Sequence, residues 1–266
     1  MKPDPEAFLA SDPDVDPELF QEHFSRLPER YFQRFSCSEI RLHLAALSRI
    51  SARHPVEVLL DPRGGGSTDC TVLAFDYPGV FSLMTGVFAA IGFDVTSGEV
   101  FTYAPASHHP KRPVAGTGPG CSGLDPKALM RRRIVNFFSG AVATALPPQT
   151  WAGELRRNLE HVIALLERGD EASKEKANAH VNEIVVSRLG LVEAGSLPTV
   201  LYPVQMEVDN SEDRFTRLRI VSEDTPAFLY SLTHAFSLHG IQIEHVDIRT
   251  IGSRVEDAID VFHYPS

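Results

Sequence analysis

Two short segments carry the residues best placed for ligand chemistry: Asp76-Tyr77-Pro78-Gly79-Val80 and Asp224-Thr225-Pro226-Ala227-Phe228. Each stands where a strand-like run gives way to a helical one. The N–H groups at a helix start, reinforced by the helix dipole, form a ready site for an anion. Gly79 would let the backbone approach such a ligand closely. Asp76 suits either of two tasks, accepting from a ligand ammonium or capping the helix, and capping is the commoner use of Asp there. Ala227 stands where the first segment has Gly79. Alanine tolerates a helix start, so ligand approach rather than folding is what it affects. The expectation is a site at the first turn, with the second segment supplying its other wall. Two purely structural turns would use the same residues.

Other chemistries find fewer footholds. Nucleotidyl transfer needs Gly-Ser followed about ten residues on by a D-x-D pair for metal ions, but Gly66-Ser67 leads to Asp76-Tyr77-Pro78. None of the 11 histidines is followed by Asp, so the His-Asp pair of a metal phosphohydrolase is missing. The stretch from Gly116 to Gly123 is Gly-rich but has no Lys to reach a phosphate. His108, His109 and Cys121 share one segment at a spacing that fits no zinc pattern, and a solvated loop is the simpler account. Arg131-Arg132-Arg133 reads as a solvated strand start, and Trp151 as core. No catalytic residue, metal or cofactor is expected.

Bulk properties narrow the partners. The chain has 25 basic and 35 acidic residues, a formal charge of −10, which argues against nucleic acid or an anionic membrane. No run approaches the roughly 18 apolar residues of a membrane span. The cysteines Cys37, Cys70 and Cys121 are few, odd in number and without C-x-x-C spacing, which fits a reduced cytoplasm.

The elements that must position the two turns repeat at an offset of 148 residues. Pro55, Val56, Asp61, Thr68, Asp76, Pro78, Thr85, Phe88, Gly92 and Thr102 return as Pro203, Val204, Asp209, Thr216, Asp224, Pro226, Thr233, Phe236, Gly240 and Thr250. A duplicated stretch of this length is a folded module used twice. Each copy opens with a hairpin: 56–60 and 70–75 in the first, 204–208 and 218–222 in the second. A helix follows the Asp-x-Pro turn, with Val80, Leu83, Met84, Val87 and Ile91 as the apolar face of the first. Gly92 and Gly240 then end the helices at a left-handed position. In the strand after each glycine the apolar alternation changes phase at the same place, which predicts a β-bulge in both copies. The last strands are 134–138 and 258–262. Strand–strand–helix–strand–strand fits a ferredoxin-like sheet of order 4-1-3-2 if the leading hairpin strand takes the fourth place.

The reading is thus α+β, two ferredoxin-like units with helical front and linker segments. Residues 1–16 form a flexible lead-in and 17–54 a helical segment that starts with Asp16-Pro17 and includes the Ser36–Glu39 capping box. Unit one covers 55–140, with a mobile Pro/Gly-rich insert at 105–130. A helical linker covers 141–197, with Trp151, Leu155 and Leu159 beginning one stripe, and unit two covers 198–266. His161 and His180 fall on the linker helices as surface or interface residues.

On these residues the chain resembles the ACT-domain family. Its pattern, a strand ending in D-x-P-G/A, a helix, and a Gly before the next strand, occurs at Asp76–Gly79 and Asp224–Ala227. The stretch Ile248-Arg249-Thr250-Ile251-Gly252-Ser253-Arg254-Val255-Glu256-Asp257 is similar to one in the ACT regions of bacterial uridylyltransferases that modify the PII protein. Leu27-Pro28-Glu29-Arg30-Tyr31-Phe32-Gln33-Arg34-Phe35 is similar to the linker ahead of those regions. Overall the chain most resembles the tandem-ACT front of some bacterial glutamine synthetase adenylyltransferases. The resemblance implies a non-catalytic regulatory module that senses an amino acid, glutamine first, at the two turns. It also implies control of a nucleotidyltransferase domain in the same or another chain, and pairing of ACT units within or between chains. An association scaffold without a small ligand is the alternative.

Overall fold

The computed structural model describes residues 5, 8, 15–104, 132–143, 147–190, 204–212, 215–223, 225, 227–252 and 254–263. Three helices lead, α1 (Pro17–Arg26), α2 (Glu29–Arg34) and α3 (Cys37–Leu47). Asp16 caps α1 by accepting from the Glu18 N–H, with Pro17 in the first turn, and Ser36 and Glu39 form the expected capping box on α3. The first copy follows as β1 (Val56–Gly64), β2 (Ser67–Phe75), α4 (Val80–Ile91), β3 (Phe93–Thr102) and β4 (Arg133–Val142). Two linking helices, α5 (Pro148–Glu167) and α6 (Glu171–Leu189), lead to the second copy: β5 (Gln205–Asp209), β6 (Thr216–Glu223), α7 (Phe228–Leu238), β7 (Ile241–Ile251) and β8 (Arg254–His263).

The architecture is α+β, and its eight strands form a single antiparallel sheet of order β1-β2-β4-β3-β7-β8-β6-β5. Within each half the leading hairpin strand lies at the outer edge, beside the strand that runs into the helix. The register shift foreseen in the third strand of each copy is present twice, between Val95 and Ser97 and between Ile243 and His245. These positions are again 148 residues apart.

The halves join about a local two-fold axis. In the sheet β3 pairs with β7, and one pair in register is Glu99 with Asp247, each the other's repeat counterpart. In the helical layer α4 crosses α7 with the Thr85 and Thr233 hydroxyls 3.2 Å apart, also counterparts. Contacts between equivalent residues define an isologous interface, so the copies pair with each other inside one chain. Gly86 permits the close approach near this axis: a Cβ there would lie 2.3 Å from Val181 Cγ1 of α6 and 2.8 Å from the Tyr230 ring of α7.

Two cores sit on the two faces of the sheet. On one face α4, α5, α6 and α7 bury Val72, Phe88, Phe138, Trp151, Leu155, Val181 and Ile220. On the other, α1–α3 bury Phe20, Phe24, Tyr31 and Leu44 against Leu73, Phe101, Tyr103 and Phe137 of the first half. A buried polar chain ties this front to the sheet: Tyr103 Oη lies 2.6 Å from His23 Nδ1, His23 Nε2 lies 2.9 Å from Tyr31 Oη, and Tyr31 Oη lies 2.7 Å from His43 Nδ1. Burial pulls the His43 pKa down to about 4, so near neutral pH the ring is uncharged. Phe8 is buried against Phe20 and Phe24. The insert at 105–130 lies outside the described residues.

Candidate functional site

The Asp-x-Pro-Gly motif has a local conformational cause. The Val80 N–H donates to the Tyr77 carbonyl at 3.0 Å, and Gly79 has φ 81° and ψ 0°. That is a type II turn with Pro78 second and a left-handed residue third, a place that favours glycine. The second copy closes the same bond, Phe228 N–H to Thr225 carbonyl at 3.0 Å. Its third residue is Ala227, with φ 61°, and among the described residues no other non-glycine has a positive φ. Alanine is therefore not at ease at this helix start. A left-handed L-residue costs about 1–2 kcal/mol, and such strain gathers at sites that use it.

The surroundings of the two turns differ. At the first, the Cβ that a larger residue would bring to position 79 falls 2.6 Å from Ser237 Oγ, at the end of α7. Asp76 does not cap α4, which has no side-chain cap. It faces Arg132 at 3.7 Å, and Arg132 holds Glu244 at 2.8 Å. Burial pushes the Asp76 carboxyl up to about 6, with Arg132 opposing the shift and Glu244 adding to it. Tyr77 donates its hydroxyl to Glu167 of α5, and Val80 is core. The first turn is packed.

At the second turn a cavity of about 390 Å³ opens, a size typical of small-molecule sites. Thr225, Ala227 and Phe228 line one side of it, and Phe88, Asp94 and Val95 of the first copy line the other. Arg188 of α6 and Asp257 of β8 complete it with opposite charges. Arg188 donates to the Ala143 carbonyl at 2.7 Å, which fixes its guanidinium at the rim. Asp257 is buried, and the Arg249 N–H donates to it at 3.4 Å. The expectation set the binding turn in the first copy; the cavity lies at the second turn, and residues of the first copy share its lining. Asp224 and Pro226 lie outside the described residues, as do His108, His109 and Cys121.

Sequence reasoning missed Arg188, because it lies in the linker, and Asp94. It held a pointer to Asp257, since the stretch from Ile248 to Asp257 carries the resemblance, and Ile248, Thr250 and Val255 of that stretch also line the cavity. A second cavity of about 530 Å³ lies between α3 and β1. Its Arg63 is already held by Asp69 at 2.6 Å and Asp61 at 3.2 Å. The second cavity also has charges of both signs, but the helix start beside it is already closed by the Ser36–Glu39 capping box.

This arrangement can be set beside known proteins. No protein-family model matches the chain. A bifunctional uridylyltransferase/uridylyl-removing enzyme of Gluconobacter oxydans is 27% identical over 199 residues, 74% of this chain but 17% of that protein. Proteins of the same name from Methylococcus capsulatus and Azospirillum brasilense are 23% and 25% identical, over 88% and 94% of this chain and 22% and 23% of theirs. The likeness is to one part of a longer enzyme. Of the two nucleotidyltransferase likenesses in the sequence, these relatives bear the name of the uridylyltransferases rather than that of the adenylyltransferases. Among the described residues no helix is long and apolar enough to cross a membrane.

Proposed function

We propose that the chain is a non-catalytic regulatory module of two ACT-type, ferredoxin-like halves that senses an amino acid, glutamine first, in the cavity at the second turn. The proposed division is a helical segment at 17–54, units at 55–140 and 198–266, and a helical linker at 141–197. The observation that carries this reading is the placing of Arg188, Asp257 and the start of α7 around one cavity between the copies. A zwitterion meets a helix start and a cation with its carboxylate, and an acid with its ammonium. The apolar walls from Phe88, Phe228 and Ile248 suit the methylenes of a side chain.

The name of the relatives supports control of uridylyl transfer and removal, and the resemblance implies that this control serves nitrogen regulation, with the catalytic domains in the same or another chain. The control would act through differential affinity: a ligand touching both copies favours the arrangement it fits better and shifts the equilibrium by that difference alone. Thermal unfolding with each of the twenty amino acids at millimolar concentration tests the reading. A ligand at ten times its dissociation constant adds about 1.4 kcal/mol, or about 2–4 °C for a chain of this size. A midpoint unmoved by all twenty would favour the scaffold reading, in which the pairing of the halves is the whole function.

A further inference from the structure

His161 and His180 lie on different linking helices, and the fold brings them together. On α5, Glu154, Asn158 and His161 follow one another at helical spacing, beside the stripe of Leu155, Leu159 and Val162 that enters the core. On α6, His180 stands between the core residues Ala177 and Val181. Packing the two stripes against each other sets the imidazoles side by side, with ring centroids 4.8 Å apart and ring planes at 70°. His161 is exposed and His180 half-buried, so water reaches the pair.

The hydrogen bonds beside the pair fix which nitrogen of His180 is available. Asn158 Nδ2 donates to the Glu154 carbonyl at 2.9 Å, a bond that only the amide NH2 can make. Asn158 Oδ1 is therefore the atom that faces His180 Nε2 at 3.2 Å, and it can only accept. The neutral ring carries its proton on Nε2 and its lone pair on Nδ1. Among the described residues no hydrogen bond reaches that Nδ1 or either nitrogen of His161. Metal-binding histidines are held in this way, the second nitrogen donating to a fixed acceptor. The separation fits as well. Two imidazoles that share one ion at about 2.0–2.1 Å from each nitrogen have centroids about 4.5–5.2 Å apart, a range that contains the 4.8 Å found here.

We infer that His161 and His180 form a site for a divalent transition-metal cation of the zinc class, which pins α5 to α6. Imidazole suits zinc, copper, iron and nickel ions, and the formal charge of −10 draws cations to the chain. Among the described residues no third histidine, cysteine or carboxylate joins the pair as a metal-holding group. Water fills the other positions, which makes the site open and its ion exchangeable. Nothing in this inference depends on the cavity at the second turn or its ligand.

The probe is zinc chloride, titrated calorimetrically at submillimolar concentration into the full chain and into His161→Gln, His180→Gln, Asn158→Leu and His239→Gln. The chain's other histidines and its cysteines also take zinc, but they are common to the parent and the first three variants, so the difference in stoichiometry reads the pair. The expected result is one zinc equivalent that disappears in both His161→Gln and His180→Gln and persists in His239→Gln, an exposed histidine after α7. Asn158→Leu leaves both ligands in place and should weaken that equivalent about 10–100-fold. Exposed positions such as His161 tolerate substitution, and an unchanged unfolding midpoint without zinc separates lost binding from lost fold. No equivalent separating the parent from the two histidine variants, a loss in only one of them, an equal loss in His239→Gln, or an unchanged affinity in Asn158→Leu would overturn the inference.

Discussion

The two Asp-x-Pro turns are the same device in different company. The first has the residue its geometry favours, Gly79, and is closed in by Ser237, Arg132 and Tyr77. The second forces an alanine into a left-handed conformation and faces open space. Repetition preserved the local chemistry of the turn, while the packing around it decided which copy keeps a cavity. A motif therefore locates a candidate site without telling which of its copies is free to act.

The comparison can be broken most strongly through the core. Phe88 is 1% exposed, with helices on both sides of α4, so Phe88→Ala should cost about 3–5 kcal/mol in urea unfolding. Its counterpart Phe236 sits in α7, which among the described residues has no helix on its outer side and can relax, so Phe236→Ala should cost less. Equal losses would mean that the halves are covered alike.

The turns themselves should respond with opposite signs. Gly79→Ala brings a Cβ to 2.6 Å from Ser237 Oγ at φ 81° and should destabilise by about 1–3 kcal/mol. Ala227→Gly relieves the left-handed strain against the entropy of glycine and should stabilise by about 0.5–1 kcal/mol. Measured unfolding free energies that move in the same direction would show that the turns are equivalent after all.

A smaller effect separates the turns by pH. The Asp76 carboxyl is raised by burial to about 6, so the fold holds its proton more tightly than the unfolded chain does. The stabilisation from that proton is full below about pH 4 and is lost as pH rises through about 6. Asp76→Asn should gain on the parent protein over this window, with little change in their difference above pH 7. A flat difference from pH 4 to 7 would place Asp76 in water. Smallest of all is the axis contact. Each threonine hydroxyl donates to its own helix, Thr85 to the Ser82 carbonyl and Thr233 to the Leu229 carbonyl. A double-mutant cycle with Thr85→Val and Thr233→Val should therefore give a coupling of about 0.5 kcal/mol.

Much of the strand pattern was legible because period-2 alternation and its phase change are local properties of the chain. Phe93, Val95, Gly98 and Val100 foretold the bulge at Thr96, and the 148-residue offset carried it to Glu244. The cap on α3 was equally local, needing only Ser36 and Glu39. What could not be read was set by distant contacts. Ser237 fills the space over Gly79 from 158 positions away, and Arg188 reaches the cavity from the linker. The spacing of Asp76 to α4 allows either a cap or a ligand acceptor, but it is Arg132 and Glu244, each from another strand region, that surround it. Likewise the burial of Val56 and Val58 and the exposure of Val204 and Met206 follow from where α5 lies, which similar residues in the strands do not encode.

The most direct test compares the thermal midpoint shift produced by millimolar glutamine, and by the other amino acids, in the parent protein and two variants. Arg188→Ala removes a cation from the rim of the second-turn cavity, and Asp76→Asn alters only the packed first turn. The expected result is a shift of about 2–4 °C in the parent protein for at least one amino acid, kept by Asp76→Asn and lost or sharply reduced in Arg188→Ala. A shift lost in Asp76→Asn and kept in Arg188→Ala would place the ligand at the first turn and contradict it.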